Sequence, residues 1–384
     1  MISLSKVILP GATIGIIGGG QLGRMMALAA KAQGFRIAVL EPTPDSPCGQ
    51  VADVQVIGAY NSREAISKLA EMSDVITYEF ENIDADTLGW LCEHATVPQG
   101  PTLLTITQDR IKEKRAIQQA GIEVAPYEVI QGLDDLLLKI DAVGYPAVLK
   151  TARGGYDGKG QLVIHHPEDV LEGKALCELG PCVLEKWIPF EKELSVIVTR
   201  KQNGETAIFP VAENIHVDNI LHQTIVPARI SETVAAAAVQ KAEELADSLE
   251  LVGTLAVEMF LTKDGTIYVN ELAPRPHNSG HFSIEACETS QFEQHIRAIC
   301  NWPLGSTELL KPAVMVNLLG EHLETLYREI PTQKNWKVHL YGKEEPKWKR
   351  KMGHVTLLRE TTADALEELE MSSIWNTAKE KIGG

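Results

Sequence analysis

The stretch TIGIIGGGQLGRMMALAAKAQGFRIAVLEP, residues 13–42, constrains the fold more than any other part of the chain. A short apolar run leads into Gly18, Gly20 and Gly23, a helical run follows, and a second apolar run ends at Glu41. This spacing is typical of the strand, glycine turn and helix that hold a dinucleotide at a helix N-terminus. Taken alone, the stretch predicts a parallel sheet and favours an NAD-dependent dehydrogenase.

The first part of the chain continues this pattern as far as about Pro98. Residues 14–17, 36–40 and 74–80 are short apolar runs, and helical stretches separate them. Such alternation predicts a doubly wound parallel sheet of the α/β class.

The second part has a different pattern, which begins at about Lys186. Turn pairs at Asn203-Gly204 and Asp264-Gly265 predict hairpins, and an Ala-rich helix is expected over 233–249. This part is therefore expected to be α+β. The expected domains are 1–108, a Rossmann-like sheet domain, 109–185, a linker helix and a lid, and 186–384, a catalytic domain with a β-rich C-terminal subdomain.

Between these parts, a polar helix is expected over 106–121, with Asp109 near its start and Gly121 at its end. A strand then runs through Lys150 into the glycine-rich segment RGGYDGKGQ, residues 153–161, and a second strand follows. Four glycines allow backbone amides to wrap a phosphate, and a lysine within the loop adds a charge. The loop lacks the P-loop spacing, so it predicts only a general phosphate site, and a plain hairpin turn would explain one or two of the glycines.

The segment TLAVEMFLTKDGTIYVNELAPRPHNSGH, residues 254–281, predicts a metal site. If Asp264 and Gly265 form a two-residue turn, Glu258 lies directly opposite Glu271 on one face of the hairpin. Two opposed carboxylates destabilise a sheet unless a cation lies between them, and Mg²⁺ prefers a small number of oxygen ligands. The alternative is that one or both glutamates point to solvent.

Composition excludes some classes of function. The chain of 384 residues carries a formal net charge of −16, which argues against a nucleic-acid or membrane binder. Its six cysteines form no C-x-x-C pair and no secretory leader precedes Gly18, so we expect free thiols and a cytoplasmic protein. Against this acidic background, the basic cluster in YGKEEPKWKRKMGH is expected to bind an anion such as a substrate phosphate, although solvated charge runs are common.

The segments GGGQLGRM, YEFENI, GGYDGKGQ, EKWI, AENIHVDNIL, NELAPRPHNSGH and YGK…RKMGH occur in this order over nearly the whole chain. In this combination the sequence resembles the ATP-grasp superfamily of carboxylate–amine ligases and, within it, the N5-carboxyaminoimidazole ribonucleotide synthetases. The resemblance implies a nucleotide-like first domain, a small lid and a third domain with two metal-binding carboxylates. It also implies that the first glycine turn serves a ribonucleotide and that no nicotinamide cofactor is used.

The resemblance assigns residues to each ligand. For ATP it implies Arg110, Lys150, Gly155, Tyr156, Asp157, Gly158, Lys159, Gly160, Gln161, Glu185, Lys186, Trp187, Ile188, Glu193, His216, Asn270 and Glu271, and for Mg²⁺ it implies Glu258 and Glu271. For 5-aminoimidazole ribonucleotide it implies Gln21, Leu22, Glu41, Glu79, Asn82, Tyr156, Asp157, Arg275, Lys343, Arg350 and Lys351. Catalytic roles are implied for Lys150, Asp157, Arg275 and His277.

The implied reaction is the ATP- and bicarbonate-dependent carboxylation of the exocyclic amine of 5-aminoimidazole ribonucleotide, through carboxyphosphate, with either Asp157 or His277 managing a proton. A homodimer and a separate mutase that acts next are also expected. The tail departs from the family, because Lys347-Trp348-Lys349 stands where Arg-Pro is more usual. A formate-dependent glycinamide ribonucleotide transformylase and the NAD-dependent dehydrogenase are the alternatives.

Overall fold

Parallel strands open the fold, as the apolar pattern predicts. In the computed structural model, which describes residues 6–155 and 160–375, the first sheet has the order β3-β2-β1-β4 with every neighbouring pair parallel. Strand β4 is buried along its whole length, because helices cover both faces of a parallel sheet. The elements of this unit are β1 (Thr13–Ile17), α1 (Gln21–Ala32), β2 (Arg36–Leu40), β3 (Val54–Val56), α2 (Arg63–Glu71), β4 (Val75–Tyr78) and α3 (Ala85–His94).

Two helices, α4 (Thr102–Thr107) and α5 (Arg110–Gln119), link the first unit to the next. The side chain of Asp109 caps α5 by accepting hydrogen bonds from the amides of Ile111 and Lys112. The predicted helix therefore begins next to Asp109, as expected, whereas the residues before it belong to the separate helix α4. Gly121 follows the end of α5 with a φ of +77°.

A small antiparallel sheet of order β5-β8-β6-β7 forms the second unit, which we call the lid sheet. Its strands β6 and β7 pair directly and flank the glycine-rich loop, as the sequence predicts. The elements are β5 (Tyr127–Ile130), α6 (Leu133–Val143), β6 (Ala147–Thr151), β7 (Gln161–Ile164), a 3₁₀ helix (Pro167–Gly173), α7 (Lys174–Glu178) and β8 (Cys182–Lys186).

The third unit is a large antiparallel sheet of order β14-β13-β9-β11-β12-β15-β17-β16, with β10 paired to β9. Helix α8 begins after Ser231, whose hydroxyl accepts a hydrogen bond from the amide of Val234. Its elements are β9 (Phe190–Arg200), β10 (Thr206–Ile208), β11 (Ala212–Val217), β12 (Ile220–Val226), α8 (Glu232–Ser248), β13 (Gly253–Thr262), β14 (Ile267–Ala273), α9 (Ser283–Ala286), α10 (Gln291–Ile299), β15 (Ala313–Leu319), α11 (Leu323–Glu329), β16 (Lys337–Leu340), β17 (Lys351–Leu358) and α12 (Thr362–Met371).

Shared apolar clusters hold the units together. Phe292 and Ile296 of α10 are buried against Met26 of α1, so the third unit packs directly on the first. Ile117 of α5 lies in the cluster that also contains Leu255 and Val257 of β13. Helix α5 is therefore anchored on the large sheet while it faces the lid sheet. Across the described ranges, no helix combines the length and the apolar character needed to cross a bilayer.

Candidate active site

A cavity of about 740 Å³ opens where the three units meet. Its volume lies within the range typical of sites for small molecules. The walls come from the turn after β1, from β6 and β8 of the lid sheet, and from β13 and β14 of the large sheet. The residues that the sequence predicted and that line this cavity are Gln21, Leu22, Glu79, Asn82, Arg110, Lys150, Gly155, Gln161, Glu185, Lys186, Trp187, Ile188, Glu193, His216, Glu258, Asn270, Glu271, Arg275, His277 and Lys351.

Lys150 and Glu185 meet on the lid sheet. The ammonium of Lys150 lies 3.0 Å from Oε2 of Glu185 and 3.5 Å from Oδ1 of Asn270, and that of Lys114 lies 3.1 Å from Oε1 of Glu185. Although burial raises the pKa of Glu185, the two lysines outweigh it and lower the pKa from 4.5 to about 2. Glu185 is therefore ionised at neutral pH and holds Lys150 at the wall of the cavity.

Glu258 and Glu271 pair across β13 and β14, as the hairpin count predicts. The predicted two-residue turn is wrong, because the amide of Thr262 bonds to the carbonyl of Thr266 and three residues form the loop. This shifts the register by one residue near the turn, and a bulge between Glu258 and Met259 shifts it back. The predicted pairing therefore holds because the two irregularities cancel.

The two carboxylates have the properties of a cation site. Burial and the charge of Glu271 raise the pKa of Glu258 to about 7, whereas Arg110, 3.2 Å from Glu271, helps to lower the pKa of Glu271 against the effect of burial. His277 approaches Glu258 with 3.5 Å between Nε2 and Oε1. No cluster of three or more His, Cys, Asp or Glu side chains suited to a metal occurs in the described parts of the chain. Two carboxylates with room for phosphate oxygens and water suit Mg²⁺.

Two further ion pairs line the same cavity. His216 on β11 lies 2.9 Å from Glu193 on β9, between Nδ1 and Oε2, and Glu193 raises the pKa of His216 although burial alone would lower it. Arg275, just beyond β14, lies 2.7 Å from Glu81, between Nε and Oε1. The side chains of His216 and Arg275 therefore line the same cavity as the carboxylate pair.

The glycine turn after β1 is occupied by carboxylates of the protein itself. Glu79, at the end of β4, accepts hydrogen bonds from the amide of Gly20 and, at 2.6 Å, from that of Gly23. Glu41 accepts a 2.8 Å hydrogen bond from the amide of Gly19. A dinucleotide pyrophosphate needs such amides as donors. The turn therefore has the dinucleotide spacing, but carboxylates of the protein itself occupy the amides of Gly19, Gly20 and Gly23.

Comparisons with known proteins agree with this geometry. Residues 11–108 match the ribonucleotide synthetase preATP-grasp domain, residues 115–292 the ATP-grasp domain, and residues 313–368 the phosphoribosylaminoimidazole carboxylase C-terminal domain. An N5-carboxyaminoimidazole ribonucleotide synthase of Bacillus subtilis (strain 168) is 57% identical over 364 residues, which cover 95% of this chain and 96% of that protein. The chain belongs to the N5-carboxyaminoimidazole ribonucleotide synthase family.

Solved structures of this synthase family share the whole fold. A crystal structure of an N5-carboxyaminoimidazole ribonucleotide synthetase in complex with ADP superposes with a TM-score of 0.95 at 60% identity, covering 97% of this chain and 99% of that one. A synthase of Aspergillus clavatus in complex with ADP and 5-aminoimidazole ribonucleotide has a TM-score of 0.88 at 30% identity, covering 94% and 97%. The chain is therefore an ATP-grasp ligase, an enzyme that uses ATP. This assignment replaces the dehydrogenase and the transformylase that the sequence also left open.

Some residues that the synthase resemblance implied lie apart from the cavity lining. The carboxylate of Glu41 also contacts the hydroxyl of Tyr60 at 2.5 Å, Lys343 donates to the carbonyl of Lys351 at 2.6 Å, and Arg350 donates to that of Glu345 at 3.1 Å. Their ligand roles, and that of Gly160, stay predictions. Tyr156, Asp157, Gly158 and Lys159 lie outside the described residues.

Three charged residues of this site were not predicted from the sequence. Glu81 pairs with Arg275, Glu113 accepts a 2.7 Å hydrogen bond from the amide of Leu272, and Lys114 pairs with Glu185. Helical spacing was a usable signal for two of them, because residues 113 and 114 follow Arg110 by three and four positions and so share its face of α5. Nothing in the local sequence of Glu81 indicates its pairing with Arg275.

Proposed function

We propose that the chain catalyses the ATP- and bicarbonate-dependent carboxylation of the exocyclic amine of 5-aminoimidazole ribonucleotide, in purine biosynthesis. The product is the carbamate N5-carboxyaminoimidazole ribonucleotide. The observation that carries the proposal is the opposed pair Glu258 and Glu271, which faces the same cavity as Lys150 and Arg275. This arrangement suits transfer of a phosphoryl group to a small anion.

Mg²⁺ is the metal that fits the site. Glu258 and Glu271 would hold it, because these partly buried carboxylates, with a raised pKa at Glu258, form a like-charged pair that a cation would relieve. When bound, the ion neutralises charge that develops on the transferring phosphoryl oxygens. Arg110, 3.2 Å from Glu271, keeps that carboxylate ionised and oriented.

For ATP, we propose that the lid sheet and the large sheet enclose the nucleotide between them. Lys150, held by Glu185, would contact phosphate oxygens, and the segment 185–188 would face the adenine. Glu193, oriented by His216, would accept hydrogen bonds from the ribose hydroxyls. Support comes from the placement of all these groups along the same cavity.

We propose two chemical steps. An oxygen of bicarbonate attacks the γ-phosphorus of ATP, the bond to the β-phosphate oxygen breaks, and ADP leaves carboxyphosphate behind. The exocyclic amine then attacks the carbon of carboxyphosphate, or of CO₂ released from it, inorganic phosphate departs, and the nitrogen loses a proton to Asp157 or His277. Arg275 would stabilise the anionic intermediate, and closure of the lid sheet would exclude water from it.

For the ribonucleotide, we propose the end of the cavity formed by the first unit. Gln21 and Leu22 at the start of α1, together with Glu79 and Asn82 after β4, line this end. Lys351, at the start of β17, lines the cavity as well and would contact the substrate phosphate. Lys343 and Arg350 lie close to Lys351 in the chain and would support the same contact.

We further propose the three-domain division 1–108, 109–185 and 186–384, a cytoplasmic location, a homodimer, and a separate mutase that consumes the product. Exposed apolar side chains at Val54 and Ile57, on and beside the edge strand β3, suit association of two copies. Light scattering during size exclusion chromatography tests the dimer.

The test of the function is ADP release by the purified protein with MgATP and bicarbonate, with and without 5-aminoimidazole ribonucleotide. Strong stimulation by the ribonucleotide, together with an acid-labile carbamate product, is expected. Turnover that ignores this ribonucleotide but rises with formate and glycinamide ribonucleotide would overturn the proposed substrate and leave the ATP-grasp architecture in place.

A further inference from the structure

One face of α5 connects the metal hairpin with the lid sheet. Arg110 contacts Glu271 on β14, and Glu113 accepts a hydrogen bond from the amide next to it, at Leu272. One position further along the helix, Lys114 contacts Glu185 on β8. A single helix therefore sets the positions of groups on both sides of the proposed nucleotide site.

Lys114 is buried to a degree that is unusual for lysine. The residue is 1% exposed, and its ammonium lies 3.1 Å from Oε1 of Glu185 and 5.8 Å from the ring centroid of Tyr127. Burial of an ammonium is unfavourable unless a counter-charge compensates it. Lys112, two positions earlier on the same helix, is exposed and so provides an internal comparison.

Glu185 joins Lys114 to Lys150. Its Oε1 lies 3.1 Å from Lys114 and its Oε2 lies 3.0 Å from Lys150, so each oxygen has a different lysine as its partner. A carboxylate held by one cation alone can rotate and engage that cation with either oxygen. The contact with Lys114 therefore fixes the plane of the Glu185 carboxylate and the position of Lys150.

We propose that Lys114 is a positioning residue for ATP, acting through Glu185 to orient Lys150 toward the nucleotide. The inference rests on the proposed function, because it assumes that ATP lies against Lys150 and Glu185. Lys114 itself is absent from the residues that line the described cavity, so its effect is indirect. Loss of its charge should weaken ATP binding more than it slows the chemical steps.

The experiment compares Lys114→Met with Lys112→Met, the same substitution on the exposed face of α5. For Lys114→Met, the KM for ATP should rise about tenfold or more, because one partner of a buried charge pair is removed. The KM for 5-aminoimidazole ribonucleotide should stay within about twofold, and kcat should fall much less than kcat/KM for ATP. The KM values and kcat of Lys112→Met should equal those of the unchanged protein.

A double-variant cycle tests whether the effect passes through Glu185. If it does, Lys114→Met combined with Glu185→Gln should have a KM for ATP no higher than Glu185→Gln alone, because contacting residues are not additive. An unchanged KM for ATP in Lys114→Met would overturn the proposal. A double variant whose KM for ATP rises by the product of the two single-variant increases would overturn it as well. If Lys114→Met fails to fold, Lys114→Gln removes the same charge while keeping a hydrogen-bond donor, with the same outcomes expected.

Failure of the inference differs from failure of the proposed function. An unchanged protein that shows no ADP release dependent on the ribonucleotide contradicts the function, whatever the variants do. Normal ribonucleotide-dependent turnover combined with an unchanged KM for ATP in Lys114→Met contradicts only the role of Lys114. A lower melting temperature with unchanged kinetic constants would show that Lys114 is merely structural, and it too would overturn the proposal.

Discussion

The amide of Gly23 donates a 2.6 Å hydrogen bond to the carboxylate of Glu79, although the two residues lie 56 positions apart. Through this contact the protein fills, with its own carboxylate, the place that a dinucleotide phosphate takes in other folds with the same glycine spacing. Burial raises the pKa of Glu79, while the amides of Gly23 and Gly20 oppose that rise. The glycine turn is thus tied to the end of β4 at the part of the cavity that the first unit forms.

Gly18→Ala should destabilise the protein more than Gly11→Ala. Both glycines have positive φ, +107° and +91°, but a Cβ at Gly18 would lie 2.8 Å from the ring of Phe80, whereas a Cβ at Gly11 meets nothing within 4 Å. We expect a loss of about 1–3 kcal/mol in the free energy of unfolding for Gly11→Ala from strain alone, and a larger loss for Gly18→Ala. Urea unfolding measures the difference, and equal losses would contradict it.

Glu271→Gln should abolish ATP turnover while leaving the fold intact. The change removes one of the two carboxylates proposed to hold Mg²⁺, so kcat/KM should fall at least about a hundredfold. ADP release measures the loss, and far-ultraviolet circular dichroism checks the fold. Glu258→Gln should have a similar effect, and the double variant should be little worse than either single one. Near-normal activity of either single variant would refute the metal assignment.

Lys351→Met should raise the KM for 5-aminoimidazole ribonucleotide about tenfold, because a charge-assisted contact with the substrate phosphate is lost. Lys347→Met is the control, since Lys347 lies in the same basic segment but pairs with Glu345 at the surface, with 68% of its side chain exposed. Steady-state kinetics with varied ribonucleotide tests both variants. Equal rises in this KM for Lys351→Met and Lys347→Met would contradict a specific contact of Lys351. They would show that the segment attracts anions only by its overall positive charge.

The free energy of unfolding should fall in acid, partly because Glu185 becomes protonated. Its pKa is lowered from 4.5 to about 2, so its stabilising contribution is complete above pH 4.5 and is lost as the pH falls toward 2. A shift of this size corresponds to something on the order of 3 kcal/mol. Lys114→Met removes one of the cations that lower this pKa, so its unfolding free energy should depend less on pH between 4.5 and 3 than that of Lys112→Met. If the unfolding free energies of the two variants changed equally with pH, the role of Lys114 in lowering the pKa of Glu185 would be contradicted.

Much of the fold follows from local patterns in the sequence. Strands β1, β2 and β4, the helix start near Asp109 and the strands that flank the glycine-rich loop are predicted by residues within a few positions of each element, whereas β3 was not predicted. The pairing of Glu258 with Glu271 was also predicted, but the three-residue loop and the compensating bulge were not. Loop length and bulge position depend on how the strands pack in the large sheet, which turn residues alone do not specify.

The sequence by itself determined the types of element, their order and the family to which their motifs belong, because periodicity, caps and glycine spacing act over short stretches of chain. Only the tertiary structure decided which carboxylates occupy the glycine turn and which lysine holds Glu185. Those choices join residues far apart in the chain, such as Lys114 and Glu185, whose charges are tolerated in the interior only because folding brings them within 3.1 Å. Charge pairs of this kind become visible only when the three units are assembled around the cavity.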